Sequence, residues 1–272
     1  MHDGEDALVA EAIEDHYRPR FAGDELPRND IGLIVALADK LETLAGLFGA
    51  GESPTGDKDP YALRRHALGV IRMLMERADA FGSLHIVTLM DIASNVAVFR
   101  SGVPNATGFI YERFSNLLRE QGWTVQEIES VVFRRPRFAD AIKRLDAVRE
   151  FMKLPEAPAL TAANKRVVNI LKKSEQPADR AALRGELLHE PAEIALAEAL
   201  QTVSPKAQIA SEHGNYTQSL KYLAALKAPV DAFFDHVMVN ADDPTLRANR
   251  LALLNQLHRT MNRVADLSRL AA

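Results

Sequence analysis

The chain has 272 residues, 47% hydrophobic and 26% charged, the balance of an ordinary globular protein that buries one or two cores. It has no cysteine, which excludes disulfides, thiolate metal sites and cysteine nucleophiles. Its 33 Lys and Arg stand against 37 Asp and Glu, a net charge of −4, so charge alone does not mark a nucleic-acid binder and any RNA contact has to come from local basic patches. No apolar run approaches the ~20 residues of a membrane span. The start, MHDGEDALVAEAIEDHYRPR, lacks the basic-then-apolar order of a secretory signal. A cytoplasmic location without membrane attachment is expected.

Helical periodicity runs through nearly the whole chain. Ile31, Ile34, Val35, Ala38, Leu41, Leu44, Ala45 and Phe48 recur at helical spacing and predict an amphipathic helix with these residues inward. Asn29 or Asp30 caps its start. Gly46, Gly49 and Gly51 end it. Asp59 and Pro60 read as N-cap and first residue of the next helix, with Leu63, Ala67, Val70, Ile71 and Leu74 inward. Helices are expected over 84–99, 108–121, 124–133 and 137–152, the last burying Phe138, Ala141, Ile142, Leu145, Val148 and Met152. The two prolines of 154–158 read as a boundary. Beyond it helices are expected over 159–174, 179–188, 190–203, 205–213, 215–227, 229–239 and 243–270. Alternating strand patterns are nearly absent, so the fold class is all-α.

Three features invite a chemical reading. Residues 51–58, GESPTGDK, approach a phosphate loop, but Asp57 stands where the lysine belongs and no strand precedes, so a helix–helix connection is the reading. Arg134, Arg135 and Arg137 surround Pro136 where a helix begins. The stretch 134–153 holds seven basic and three acidic residues, a local charge of +4. Cations at a helix N-terminus cost about a few tenths of a kcal/mol against the macrodipole, which suggests an anionic partner against the alternative of a solvated face. Lys165, Asn169, Lys172 and Lys173 share one side of a helix with Arg166 beside them, while Val167, Ile170 and Leu171 turn the other way. Such a face suits phosphate contact, with ordinary amphipathicity as the alternative. On the last long helix, Arg250 lies on the apolar line of Leu246, Leu253, Leu254, Leu257, Met261 and Val264. Its burial is expected, paired with Asp231 or Asp235. Arg247 is expected to be exposed. Phe233 and Phe234 read as core packing.

The words YRPRFAGDELP (17–27), IVALADKLETLAGLFGAGESPTGDKDPYALRRHALGVIR (34–72), TAANKRVVNIL (161–171) and APVDAFFDHVMVNADDPTLRANRLALLNQLHRTMNRVADLSRL (228–270) together resemble the C-terminal part of the bacterial glycyl-tRNA synthetase beta subunit. The resemblance implies a partial HD-like helical domain over 1–100, a helical linker region over 101–153 and an anticodon-binding bundle of the DALR type over 154–272. The DALR word itself is replaced here by Thr245-Leu246-Arg247. It implies a part in joining glycine to tRNA(Gly), with the alpha subunit as partner in an assembly of two alpha and two beta subunits. ATP and magnesium are then expected at the alpha subunit, with no catalytic residue and no cofactor in this chain. The RNA contacts are expected at Lys165, Arg166, Lys172, Lys173 and Arg247, with Arg134, Arg135 and Arg137 as a second cluster. LADKLETL around Asp39 is similar to the last metal-binding segment of HD-type phosphohydrolases. The available ligands, His2, Asp3, His16 and Asp39, form an incomplete set, so no metal site is expected. An HD-type phosphohydrolase and a helical scaffold without RNA are the alternative readings.

Overall fold

The computed structural model describes residues 4, 6–96, 103–174 and 182–271. Among them the elements are helical and no strand forms, with a single isolated bridge between Thr55 and Lys58. The α-helices are α1 (Ala7–Asp15), α2 (Asp30–Gly49), α3 (Leu63–Glu76), α4 (Ala78–Phe81), α5 (Ile86–Val96), α6 (Val103–Glu120), α7 (Val125–Val132), α8 (Phe138–Phe151), α9 (Ala157–Lys173), α10 (Pro191–Glu212), α11 (Tyr216–Tyr222), α12 (Lys227–His236) and α13 (Pro244–Met261). Short 3-10 turns sit at Gly185–Leu187, Leu223–Leu226 and Leu267–Leu270. No helix is long and apolar enough to cross a membrane among the described residues.

Two compact units divide the chain. The first comprises Met1–Trp123 and Arg135–Ala141, the second Thr124–Arg134 and Ile142–Ala272. The prolines of 154–158 lie inside the second unit, Pro155 between α8 and α9 and Pro158 in the first turn of α9.

In the first unit α2 packs against α1, α3, α5 and α6. The Asn29 side chain caps it, accepting from the Gly32 N–H at 2.9 Å. Its buried face is Leu33, Ala36, Leu37, Lys40, Leu41, Leu44, Ala45 and Phe48. The expected inward residues Ile31, Ile34 and Val35 are instead 44%, 57% and 44% exposed, and Ala38, also expected inward, is exposed with them. The helix is apolar almost all round, so spacing alone did not fix its phase. Packing selected the line that runs through Lys40, which is only 3% exposed. The Lys40 ammonium donates to the carbonyls of His16 and Tyr17, each at 3.3 Å. Burial pulls its pKa down, with Asp39 opposing. The stem lies against Gly69 of α3, where a Cβ would approach Lys40 Cε to 2.9 Å.

The connection from α2 to α3 departs from its expected cap. Asp59 accepts from the N–H groups of Leu63 and Arg64 at 2.8 and 3.0 Å, but α3 begins at Leu63, not Pro60. The carboxylate spans an intervening turn, and Ala62 takes a left-handed φ of 55°. The inward set Leu63, Ala67, Val70, Ile71 and Leu74 is buried as expected. Tyr111, Phe114 and Phe138 form an aromatic knot in this unit, with Phe114 and Phe138 ring centres 4.6 Å apart.

In the second unit α10 packs against α11, α12 and α13, while α9 packs against α13 and the last 3-10 turn. The core includes Leu145, Phe151, Leu160, Leu200, Phe233, Leu254 and Met261. Phe151, not Met152, turns inward at the end of α8; Met152 is exposed. Pro205 does not divide α10, which runs unbroken through it, because Val203 and Ala207 continue one buried face across that position. The helix expected over 243–270 stops at Met261. There Asn262 accepts from the Leu267 N–H at 2.9 Å and turns the chain. Asn164 of α9 meets Asn262 amide to amide at 2.8 and 3.1 Å, both side chains buried. Of the helix expected over 179–188, residues 179–181 lie outside the described residues. The rest holds only the Gly185–Leu187 turn, after Arg184, whose N–H and carbonyl are held by the Asn249 amide at 2.8 and 3.0 Å.

Candidate nucleic-acid interface

Helix α9 buries Ala157, Leu160, Thr161, Asn164 and Val167, one face at helical spacing. That orientation leaves Lys165, Arg166, Lys172 and Lys173 exposed together, as their spacing predicts. Lys172 and Lys173 stand in the last turn, where the macrodipole favours cations. Neither has a carboxylate within ion-pair distance among the described residues. Val167 is buried, whereas Ile170 and Leu171 are half-buried. Ile170 lines the same side as Lys173.

Beside these cations lies an open groove of about 680 Å³, lined by Met152, Lys165, Arg166, Asn169, Ile170, Lys173 and Leu270 among others. Its floor is apolar and its rim cationic. Arg166 carries a second feature. Its guanidinium carbon lies 4.2 Å from the centre of the Phe234 ring on α12. Phe233 is fully buried, but Phe234 is half-buried and packs edge-on to Phe233 at 5.6 Å. The expectation that both rings serve the core holds for Phe233. Phe234 instead supports a flat cationic plate, a contact between helices far apart in sequence that no local pattern announces.

Arg247 departs from its expected exposure. It is half-buried, and its Nη1 reaches the Ala241 carbonyl at 3.4 Å, because the chain before α13 folds back over it. Arg250 is 7% exposed, as its place on the apolar line requires. Its partner is not Asp231 or Asp235 but Glu193 of α10. Nη1 donates to the Met238 carbonyl at 2.7 Å. Spacing within α13 fixed the burial of Arg250; only the packing of α10 against α13 could name the carboxylate.

The basic stretch 134–153 is largely consumed by its own neighbours. Arg137 pairs with Asp140 at 2.7 Å, Arg149 with Glu127 at 2.7 Å and Lys153 with Glu150 at 2.6 Å. Arg144 donates to the Val264 carbonyl at 2.7 Å and lies 4.3 Å from the Tyr216 ring centre. Arg135, with a left-handed φ of 47°, lies 5.8 Å from the Tyr111 ring centre. Arg134 belongs to the second unit and Arg135 and Arg137 to the first. The three are not one patch within either unit. Arg134 is exposed and has no ion pair among the described residues.

For metal chemistry, His2 and Asp3 lie outside the described residues. His16 Nδ1 is occupied by the Ile13 carbonyl at 2.6 Å. Asp39 is exposed and borders a groove otherwise formed by side chains such as Ile34, Ala38, Leu89 and Ile92. Among the described residues no three His, Asp or Glu side chains converge as a metal site would need. The 51–58 loop ends in the Asp59 cap described above, and Arg64 donates to the Gly56 carbonyl within it.

The family described as glycyl-tRNA synthetase beta subunit matches residues 1–133. The DALR anticodon binding domain matches residues 160–268, which contain most of α9 and all of α10 to α13. Among curated proteins, the glycine–tRNA ligase beta subunit of Delftia acidovorans is 60% identical over 277 aligned residues, covering 100% of this chain and 38% of that protein. The same subunit of Thiobacillus denitrificans is 60% identical over 273 residues, covering 100% and 39%. That of Dechloromonas aromatica is 57% identical over 274 residues, covering 100% and 38%. The chain thus spans less than two fifths of the length of these relatives. Matched by that family in its first half, by the anticodon-binding domain in its second and by these subunits from end to end, the chain belongs to the glycyl-tRNA synthetase beta-subunit family.

Proposed function

We propose that this chain is the tRNA-recognition portion of a glycine–tRNA ligase beta subunit, supporting ATP-dependent attachment of glycine to tRNA(Gly). In this reading the chemistry of glycine activation, with its ATP and magnesium, belongs to the alpha subunit, in a cytoplasmic assembly of two alpha and two beta subunits. This chain supplies grip, not bond-making. The observation that supports it most directly is the exposed cationic face of α9 beside an apolar-floored groove, inside the segment matched by the anticodon-binding domain. Lysines 165, 172 and 173 meet backbone phosphates and release counterions. The Arg166–Phe234 plate offers a flat face on which an unstacked base can lie. Asn169, exposed on the same groove, can exchange hydrogen bonds with a base edge.

The test is charge reversal at two exposed positions. Lys165→Glu with Lys172→Glu should weaken tRNA(Gly) binding by the full chain about tenfold or more, and should reduce the slope of log affinity against log salt. Folding stability should change by no more than about 0.5 kcal/mol per site, as for most surface substitutions. A variant that binds tRNA and supports charging like the parent chain would remove this face from the RNA interface.

A further inference from the structure

A second basic site in the same unit shares no residue with the α9 groove. Arg134, Ser211, His258, Arg259, Asn262 and Arg263 enclose a pocket of about 400 Å³. These side chains come from the residue after α7 and Phe133, from the end of α10, and from α13 and the turn that follows it. No carboxylate lines the pocket.

The chain is acidic overall, and several of its arginines elsewhere meet carboxylates, as at Arg28, Arg72, Arg77, Arg149 and Arg250. Here Arg134 has no ion pair among the described residues. Arg263 Nε is buried with no hydrogen-bond partner, and its Nη2 has only a 3.5 Å approach to Ser204 Oγ. Arg134 and Arg263 line the pocket with no ion pair among the described residues and repel each other, and a buried N–H left unpaired is costly. A bound anion removes both penalties.

The pocket is also built rather than loose. Asn262 is fixed by Asn164, by the Leu267 N–H and by donation to the His258 carbonyl at 2.8 Å. Arg144 donates to the carbonyls of Arg263 and Val264 at 3.3 and 2.7 Å, holding the backbone beneath the Arg263 side chain. Arg269 stacks on Phe133 at 3.7 Å, next to Arg134. Such support lowers the ordering cost of binding.

We infer that this pocket binds a backbone phosphate of RNA, as a contact point separate from the α9 face. Planar guanidinium forks match the two non-bridging oxygens of a phosphodiester, which accept paired N–H bonds, and the Ser211 hydroxyl adds a neutral donor. The inference rests on the tRNA-binding reading proposed above and adds a second anchor to it.

The test measures tRNA(Gly) binding by the full chain across a salt series, for Arg134→Gln with Arg263→Gln, for Arg134→Gln alone, and for the Lys165→Glu, Lys172→Glu variant. The double glutamine variant should bind about tenfold more weakly and lower the salt slope by about one unit, the scale of one lost phosphate contact. Should that variant melt early, Arg134→Gln alone, on an exposed side chain, must lower the slope by about one unit. An unchanged affinity and slope in the glutamine variants, alongside lost binding in the lysine variant, overturns the pocket and spares the broader reading. A parent chain that binds no tRNA overturns both. Inorganic phosphate provides the remaining arm. If it perturbs the Ser211 and Asn262 amide resonances while the glutamine variants bind RNA normally, the pocket serves free anions and the RNA proposal fails.

Discussion

Arg250 shows how much one buried charge commits the second unit to its fold. Its guanidinium is closed in by the Glu193 carboxylate and the Met238 carbonyl, so removing it strands a buried carboxylate. Arg250→Ala should destabilise the chain by about 3–5 kcal/mol, the range for breaking a buried pair, read by chemical denaturation. A midpoint unchanged from the parent would show that the pair carries no stability. The partner gives a second readout. Burial pushes the Glu193 carboxyl up, but N–H groups of Glu190 and His189 together with Arg250 outweigh it and hold the group below its ordinary value of 4.5. A carboxyl held low in the folded state contributes stability above its unfolded pKa and loses it as pH falls through and below that value. The parent chain should therefore weaken as pH drops past about 4.5, and Glu193→Gln should flatten that acid limb. A Gln variant with the same acid limb as the parent would assign the loss to other carboxylates.

At the scale of elements, α10 carries its own experiment. Pro205 sits exposed within the helix, where it has no N–H to give the Gln201 carbonyl and its ring crowds the preceding turn. Pro205→Ala should raise stability by about 1–3 kcal/mol, the scale of the Pro-to-Ala difference in helices, seen as a higher melting temperature. A lower one would mean that the ring packs to advantage. The same helix marks a limit of sequence reading. Proline is a local stop signal, and the line of Val203 and Ala207 that overrides it becomes visible only once α11, α12 and α13 are in place. Helix α2 shows the converse: with apolar residues on every side, its spacing fits several phases. Where one face is plainly polar, as on α9, spacing placed Lys165, Arg166, Lys172 and Lys173 correctly. The Glu193 partner, the Phe234 plate and the Glu127 carboxylate that meets Arg149 all come from other helices, and no spacing within one element announces them. The family, by contrast, was readable from long collinear words in the sequence, which the comparisons bear out over the whole chain.

For the whole molecule, the net charge of −4 sets what RNA binding must look like. A long-range attractive field is absent, so affinity rests on a few close contacts rather than on a broad positive surface. On the proposed reading, the three α9 lysines and the Arg134–Arg263 pocket would engage about four phosphates. At about 0.7 per phosphate for single-stranded segments, the log–log salt slope should be near −3. Double-stranded DNA, which presents charge without splayed bases, should compete poorly at physiological salt. A filter-binding series with a slope beyond about −7, or equal competition by duplex DNA, would point to a wider and less specific cationic surface.

The packing of Lys40 against Gly69 has a consequence for how this family can drift through time. Neither position is free to change first. A side chain at 69 would press on a lysine stem whose ammonium is already committed to two carbonyls. Shortening Lys40 alone would leave those carbonyls without their donor and a void beside Gly69. Lineages should therefore inherit the two as a couple, with a larger residue at 69 appearing only alongside a shorter one at 40. Gly69→Ala made alone should lower stability, and adding a shorter residue at 40 should recover part of the loss, a non-additivity measurable in a double-mutant cycle.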